Sequence, residues 1–310
     1  MSMETRPYLL HALSPLHAGT GQSVGSIDLP IARMRATNIP YVPASSIKGV
    51  MREAGRHILP EAEWEAIFGP SRKKSGAEGD EAWDGDHAGA LVVGDARLVA
   101  LPVRSFVGTY ALVSSPLLLG LAHRDLKGLV GVPKRLEGMA GLAARVGKRS
   151  VVTSEPHKGS ERRKLFLEDL DLDVIEAPEV EEWALFLARA LPKEEEALIR
   201  ERFVVVDDET MSFLMETATQ VDTRVSIDPE KGSAKEGALW QEESLPAETL
   251  LLGLLAAGPS LRKDMPLSAE AVLARVLREP AWLQLGGKAT VGRGRCRLAA
   301  WPGSAKETPR

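Results

Sequence analysis

His17-Ala18-Gly19-Thr20-Gly21-Gln22-Ser23-Val24-Gly25-Ser26-Ile27-Asp28-Leu29-Pro30 is the stretch on which the fold turns. It follows an apolar run, Tyr8 to Leu13, that reads as a first strand closed by Pro15. Glycines after a first strand invite a dinucleotide-binding reading, which needs a helix directly behind them to receive a pyrophosphate. Pro30 arrives five residues after Gly25, and no helical period begins before Ser45. The glycines therefore form a loop that leads into extended chain. Pro30, Pro40 and Pro43 keep that chain extended, because proline lacks a backbone donor and restricts its predecessor.

Outward from this loop, strands and helices alternate irregularly. A helix begins at Ser45 or Ser46, either of which can cap it, with Ile47, Val50, Met51, Ala54 and Ile58 on one face. Glu61 to Phe68 is a second short helix, stopped by Gly69-Pro70. Residues 71–89 are glycine-rich, charged and poor in aliphatics, which reads as a mobile insertion. Ala90 to Ala100 is strand-like, Pro116 to Leu129 helical, Lys164 to Ile175 alternating, Val180 to Leu191 an amphipathic helix, and Phe203 to Val206 a short buried strand. Asp228-Pro229-Glu230-Lys231-Gly232 is turn chemistry inside a hairpin that spans about residues 220–243. Apolar residues 250–255, a helix over residues 268–277 and a glycine-rich strand pair over residues 282–298 complete the chain. The fold class expected is α+β, a sheet domain with insertions and no internal repeat.

Composition narrows the chemistry. The chain has 310 residues, 44% hydrophobic and 26% charged, and no apolar run long enough to span a bilayer. No charged-then-apolar leader opens it, so a cytoplasmic location is expected. A single cysteine, Cys296, excludes an intrachain disulfide and a cysteine-built zinc site. The six histidines show no metal-ligand spacing. The net charge of −4 speaks against a polyanionic partner, but the charge is segregated. Arg33, Arg35, Lys48, Arg52 and Arg56 face one acid, Glu53, in their segment, and residues 286–297 carry four bases and no acid. Residues 168–182 carry eight acids and no base. Local fields of this kind decide where a polyanion sits.

Two segments have the chemistry of phosphate contact. Ser45, Ser46 and Lys48 open a helix, whose N-terminus is a natural anion site, and Arg52 follows one turn later. Gly286-Gly287-Lys288-Ala289-Thr290-Val291-Gly292-Arg293-Gly294-Arg295 lacks the ending of a nucleotide-binding P-loop. It is either a bend between strands or a surface where Lys288, Arg293, Arg295 and Arg297 neutralise a nucleic-acid backbone. His17 and Asp28 bracket the first loop, and Glu242 and Glu243 follow the hairpin. Read alone, each is an ordinary solvated side chain.

The ordered set is less ordinary. His17 to Gly21, Ser26 to Ile31, Tyr41 to Gly49, Val93 to Arg97, Leu101 to Ser105, Arg224 to Pro229, Lys235 to Trp240 and the closing glycine-rich loop resemble the RAMP superfamily of CRISPR-associated proteins. Their order is similar to that of the fourth subunit of the type III-B (Cmr) module, over about residues 8–298. The resemblance implies one elaborated domain over residues 1–310: a ferredoxin-like, RNA-recognition-motif-like palm with inserted fingers and a hairpin thumb. Copies would stack head to tail with a guide RNA across their palms, joined by other Cmr subunits and away from any membrane.

The resemblance also implies an endoribonuclease that cuts guide-paired target RNA through the 2′-hydroxyl. The family's catalytic aspartate matches Asp28, its histidine His17, and its supporting acid Glu242. A tyrosine often found two residues later is Ser244 here. A divalent ion, Mg or Mn, is expected on Asp28, and RNA contacts are expected from Ser45, Ser46, Lys48, Arg52, Lys288, Arg293 and Arg295. The acids of residues 168–182 would meet a basic face of the next copy. Two other readings stay open: a scaffold that does not cut, and a guide-processing endoribonuclease that acts alone.

Overall fold

The computed structural model describes residues 3–21, 27–70, 87–139, 141–156, 162–277 and 281–302. Most of the expected insertion, residues 71–86, and the middle of the first glycine loop, residues 22–26, lie outside the described residues. The first third of the chain gives β1 (Glu4–Ala12), β2 (Tyr41–Val42), α1 (Ala44–Arg56), α2 (Glu61–Phe68), β3 (Leu91–Val93), β4 (Ala96–Arg104), β5 (Tyr110–Ser114) and α3 (Pro116–Asp125). The middle gives β6 (Ala143–Val146), β7 (Lys164–Leu167), β8 (Leu170–Glu176), α4 (Pro178–Ala188), α5 (Glu196–Arg202), β9 (Phe203–Val206) and α6 (Asp208–Thr217). Then follow β10 (Gln220–Ile227), β11 (Ala234–Ser244), β12 (Leu250–Ala257), α7 (Ala269–Val276), β13 (Ala281–Gln284) and β14 (Arg295–Ala300).

Among the described residues, twelve strands share one sheet. Its order is β13-β14-β1-β12-β4-β5-β9-β6-β8-β7, with β2 on β4 and β3 on β12. All pairings are antiparallel except β5–β9 and β6–β8. The fold is therefore α+β, with a large, mostly antiparallel sheet. β1 is buried on both faces, which is why it reads as an apolar run and not as a clean alternation. Tyr8, Leu10 and Ala12 belong to the core with Ile47 and Met51 of α1, Trp64 and Ile67 of α2, and Val272 of α7. Leu9 belongs to the opposite core with Leu119 of α3 and Trp183 of α4.

β10 and β11 form a separate two-stranded hairpin. The Asp228 carboxylate accepts from the amides of Glu230 (2.9 Å) and Lys231 (3.3 Å), an Asx-type turn of the kind the sequence predicts. Val221, Val225, Ile227 and Leu239 are exposed along its strands. The hairpin is anchored at its base, where Glu242, Glu243 and Ser244 are all buried.

The start of α1 differs from the sequence reading. Ser45 and Ser46 lie inside the first turn and cap nothing; Pro43 occupies the N-cap. Proline has no side-chain acceptor to offer, so the cap is supplied from elsewhere: the Ala44 amide donates to Asp95 Oδ1 at 2.7 Å. Ile58, expected on the buried face, lies beyond the helix end and is exposed.

Candidate active site

The site is built on the last residues of β11, where the chain segments before and after β1's loop cross the base of the hairpin. Leu16 pairs with Leu245, and Leu29 pairs with Glu242 in parallel. The amide of Leu29 donates to Gln241 O (3.1 Å), and that of Glu243 donates to Leu29 O (3.0 Å). These bonds lay both ends of the first loop against one short piece of strand.

Asp28 and His17 reach the site through these bonds. Asp28 Oδ2 accepts from the Gln241 amide at 2.8 Å, and the side chain is otherwise exposed. His17 Nδ1 lies 2.6 Å from Glu243 O. A carbonyl only accepts, so Nδ1 carries the proton and Nε2 is the basic nitrogen of the neutral ring. That nitrogen packs over Gly19, where a Cβ would lie 2.5 Å from it. Gly19→Ala should turn the ring away from Glu243. The ring is the far end of a flexible side chain, so it can give way and thermal stability should barely move. Melting curves of the natural chain and the variant check this.

A third segment closes the site. The Gly287 amide donates to His17 O at 3.2 Å, and the Gly294 amide to Pro15 O at 2.9 Å. Gly286 sits at φ +73° with its Cα against the same His17 carbonyl, where any side chain would collide. This explains the glycines of the C-terminal loop: they let it lie on the first loop. Lys288 is thereby carried to Glu242, with Nζ 2.8 Å from Oε1.

Glu242 is 2% exposed and fully engaged. Trp240 Nε1 donates to Oε1 at 2.7 Å, and Arg224 Nε lies 3.4 Å from Oε2. Burial alone would raise its pKa, but the bonds from Lys288 and Trp240 and the nearby cations outweigh it and hold the carboxyl below its usual range. Glu243, on the opposite side of the strand, is equally buried. It accepts from Ile31 N (3.0 Å), Arg33 Nη2 (2.5 Å) and Thr219 Oγ1 (2.9 Å). Sequence reasoning picked out the pair Glu242-Glu243 but gave a role only to the first. Two adjacent acids on a strand point to opposite faces, and that was the available signal for two separate tasks.

The expected RNA contacts divide. Lys288 joins the site, and Arg295 is exposed on β14 beside the Trp282 ring, 5.2 Å from its centroid. Arg293 is buried, with its guanidinium bound to Asp222 and, at 2.7 Å, to Ser244 Oγ. The serine that stands in the tyrosine's place thus helps anchor the hairpin. Lys48 donates to Leu91 O (2.9 Å), and its pKa is lowered by burial and then by Arg52. Arg52 donates to Phe68 O and Pro70 O, both at 3.0 Å, and lies over Trp64. Both therefore hold α1 to its neighbours, while Ser45 is exposed and Ser46 half-buried on the first turn of α1. The acids of residues 168–182 are partly met within the chain: Asp173 and Asp171 by Lys164, Glu176 by Arg163, and Glu181 by Arg200.

Among the described residues no group of three or more His, Cys, Asp or Glu side chains could hold a metal. Glu242, beside Asp28 on the strand, is already neutralised by Lys288 and Arg224.

The RAMP superfamily model matches residues 9–297. The chain belongs to the RAMP superfamily. Among relatives of this RAMP chain, the CRISPR system Cmr endoribonuclease Cmr4 of Pyrococcus furiosus is 31% identical over 288 residues, 92% of each chain. The crystal structure of oligomeric Cmr4 from the same organism superposes with a TM-score of 0.72 at 25% identity, covering 97% of this chain and 98% of that one. The fold is also shared with a chain of the type III-B Cmr-beta assembly bound to cognate target RNA, at a TM-score of 0.69 and 20% identity over 97% and 99% of the two chains.

Proposed function

We propose that this chain is the guide-RNA-binding backbone subunit of a type III-B (Cmr) complex and cuts the guide-bound target RNA at regular intervals. The observation that carries this is the convergence of Asp28, His17, Glu242 and Lys288, from three distant stretches of chain, on the base of one hairpin. Family membership and the endoribonuclease name of the 31% identical relative point the same way. Its partners are the guide, the complementary target, further copies of itself and other Cmr subunits, in the cytoplasm. No helix among the described residues is long and apolar enough to cross a membrane.

The palm is read as ferredoxin-like. The succession β1-α1-β4-β12-α7-β14, with spatial order β14-β1-β12-β4, supports this reading, because that fold runs β-α-β-β-α-β. The remaining strands are the inserted fingers, and β10–β11 is the thumb, all in one elaborated domain. The exposed apolar side chains of the thumb suit insertion into the guide–target duplex. Displacing a base costs a few kcal/mol, which contacts along the guide backbone can supply. Base pairing reads the target; the protein holds shape and charge.

RNA carries its own nucleophile. Asp28, exposed and fixed by one backbone amide, takes the 2′-hydroxyl proton as general base. The 2′-oxygen attacks the adjacent phosphorus and the bond to the 5′-oxygen breaks, leaving a 2′,3′-cyclic phosphate and a 5′-hydroxyl. His17 orients the loop. Complementary RNA given to the assembled complex should yield a ladder of regularly spaced products. No products at all would favour the scaffold reading, and cutting of precursor guide by the isolated chain would favour the processing enzyme.

Arg295→Ala should weaken guide binding by a similar factor for unrelated guides and reduce the slope of log affinity against log salt by about 1. Titrations of two guides at several salt concentrations measure both. A loss confined to one guide would contradict backbone recognition.

A further inference from the structure

Glu242 stands where the resemblance expects a supporting acid, yet its carboxylate cannot serve as a base while it receives Lys288, Trp240 and Arg224. The group presented outward is Lys288, whose side chain is 39% exposed. Its position is fixed from both ends. The backbone is left-handed (φ 69°, ψ 29°) and opens a turn in which Val291 N and Arg293 N donate to Lys288 O at 3.1 and 3.3 Å. The preceding glycines rest on His17, and the ammonium is seated on Glu242. An ammonium has three donors and one goes to Glu242, so others remain for a phosphate.

We infer that Lys288 is a catalytic residue of the RNA-cutting reaction, stabilising the charge that develops on the non-bridging oxygens of the scissile phosphate. Glu242 is its positioning residue. This rests on the reading of the site under Proposed function. The phosphorane's negative charge needs a fixed counter-charge, and the seated ammonium supplies one. Lys288 transfers no proton. The 2′ proton goes to Asp28, the 5′-oxygen takes its proton from water, and the ammonium contributes only its field and donors.

The test is single-turnover cleavage by the assembled complex, with target affinity measured alongside. Lys288→Ala should cut about 100-fold to 1000-fold more slowly, the range for loss of one such donor, with target affinity nearly unchanged. Lys288→Arg should recover part of the rate. Lys288→Met combined with Glu242→Gln keeps the aliphatic stem and removes the stranded buried charge; it should melt like the natural chain and still cut slowly. Sulfur in place of one non-bridging oxygen should slow the natural complex and have less effect on Lys288→Ala, a response that a purely structural role would not give. Natural-rate cutting by Lys288→Ala, or a rate that falls only in step with affinity, would overturn the inference. If Asp28→Ala cuts normally while Lys288→Ala does not, the base assignment fails and Lys288 stands; the reverse pattern removes Lys288 alone.

Discussion

The Asp28→Ala complex should hold its target RNA and fail to cut it. Asp28 is exposed and makes one hydrogen bond, to the Gln241 amide, so its removal costs the fold little: that N–H can turn to water. The chemical cost is large. General bases contribute about 100-fold to 10,000-fold, and no other carboxylate of the site is free to substitute, because Glu242 and Glu243 are buried and bonded to cations. Asp28→Asn separates shape from chemistry. Its amide oxygen can still accept from Gln241, so the loop keeps its place, and the rate should fall as far as in the alanine variant. Single-turnover cleavage with a binding measurement on the same complexes decides it. Equal cutting by the natural chain and both variants would leave the backbone role standing and remove Asp28 from the reaction.

Glu243→Ala should be the most destabilising single change at the site. The carboxylate binds Arg33, Thr219 and the Ile31 amide, and its loss strands a guanidinium that is only 17% exposed together with two further buried donors. Breaking a buried pair from one side costs about 3–5 kcal/mol, several times a surface ion pair. Glu243→Gln keeps an acceptor and should cost less. Urea unfolding of the isolated chain reads the difference. A loss below about 1 kcal/mol for Glu243→Ala would show that the base of the hairpin relaxes around the gap. The same carboxylate holds together the strand whose carbonyl fixes His17, so residual folded Glu243→Ala should also cut poorly.

Much of this was legible because local rules act on neighbouring residues. Pro30 excluded the dinucleotide-binding helix, and residues 27–43 indeed contain isolated bridges and no helix before α1. The Asp228 turn and its hairpin followed from turn chemistry. α6 was missed although Asp207 caps it in the standard way, accepting from Glu209 and Thr210; its short, mixed sequence hides the period. The residues of the site could be singled out, but their meeting could not be read from spacing. The sheet order brings β14 beside β1, and so lays the Lys288 loop on the His17 loop. The cations show the converse limit. Lys48, Arg52 and Arg293 are bases in sequence, yet the Leu91 carbonyl of β3, the Phe68 and Pro70 carbonyls at the end of α2, and the pair Asp222 and Ser244 already engage them. Which cations also hold internal partners is settled by packing.

The most direct test of the account is to assemble complexes from defined mixtures of natural and Asp28→Ala chains and map every target cut at nucleotide resolution. If each copy cuts one position through its own Asp28, each cut should fall in proportion to the fraction of variant chains, at unchanged spacing, with cyclic phosphate at every remaining end. Cuts that persist undiminished in the all-variant complex, or that vanish together at a small variant fraction, would contradict it.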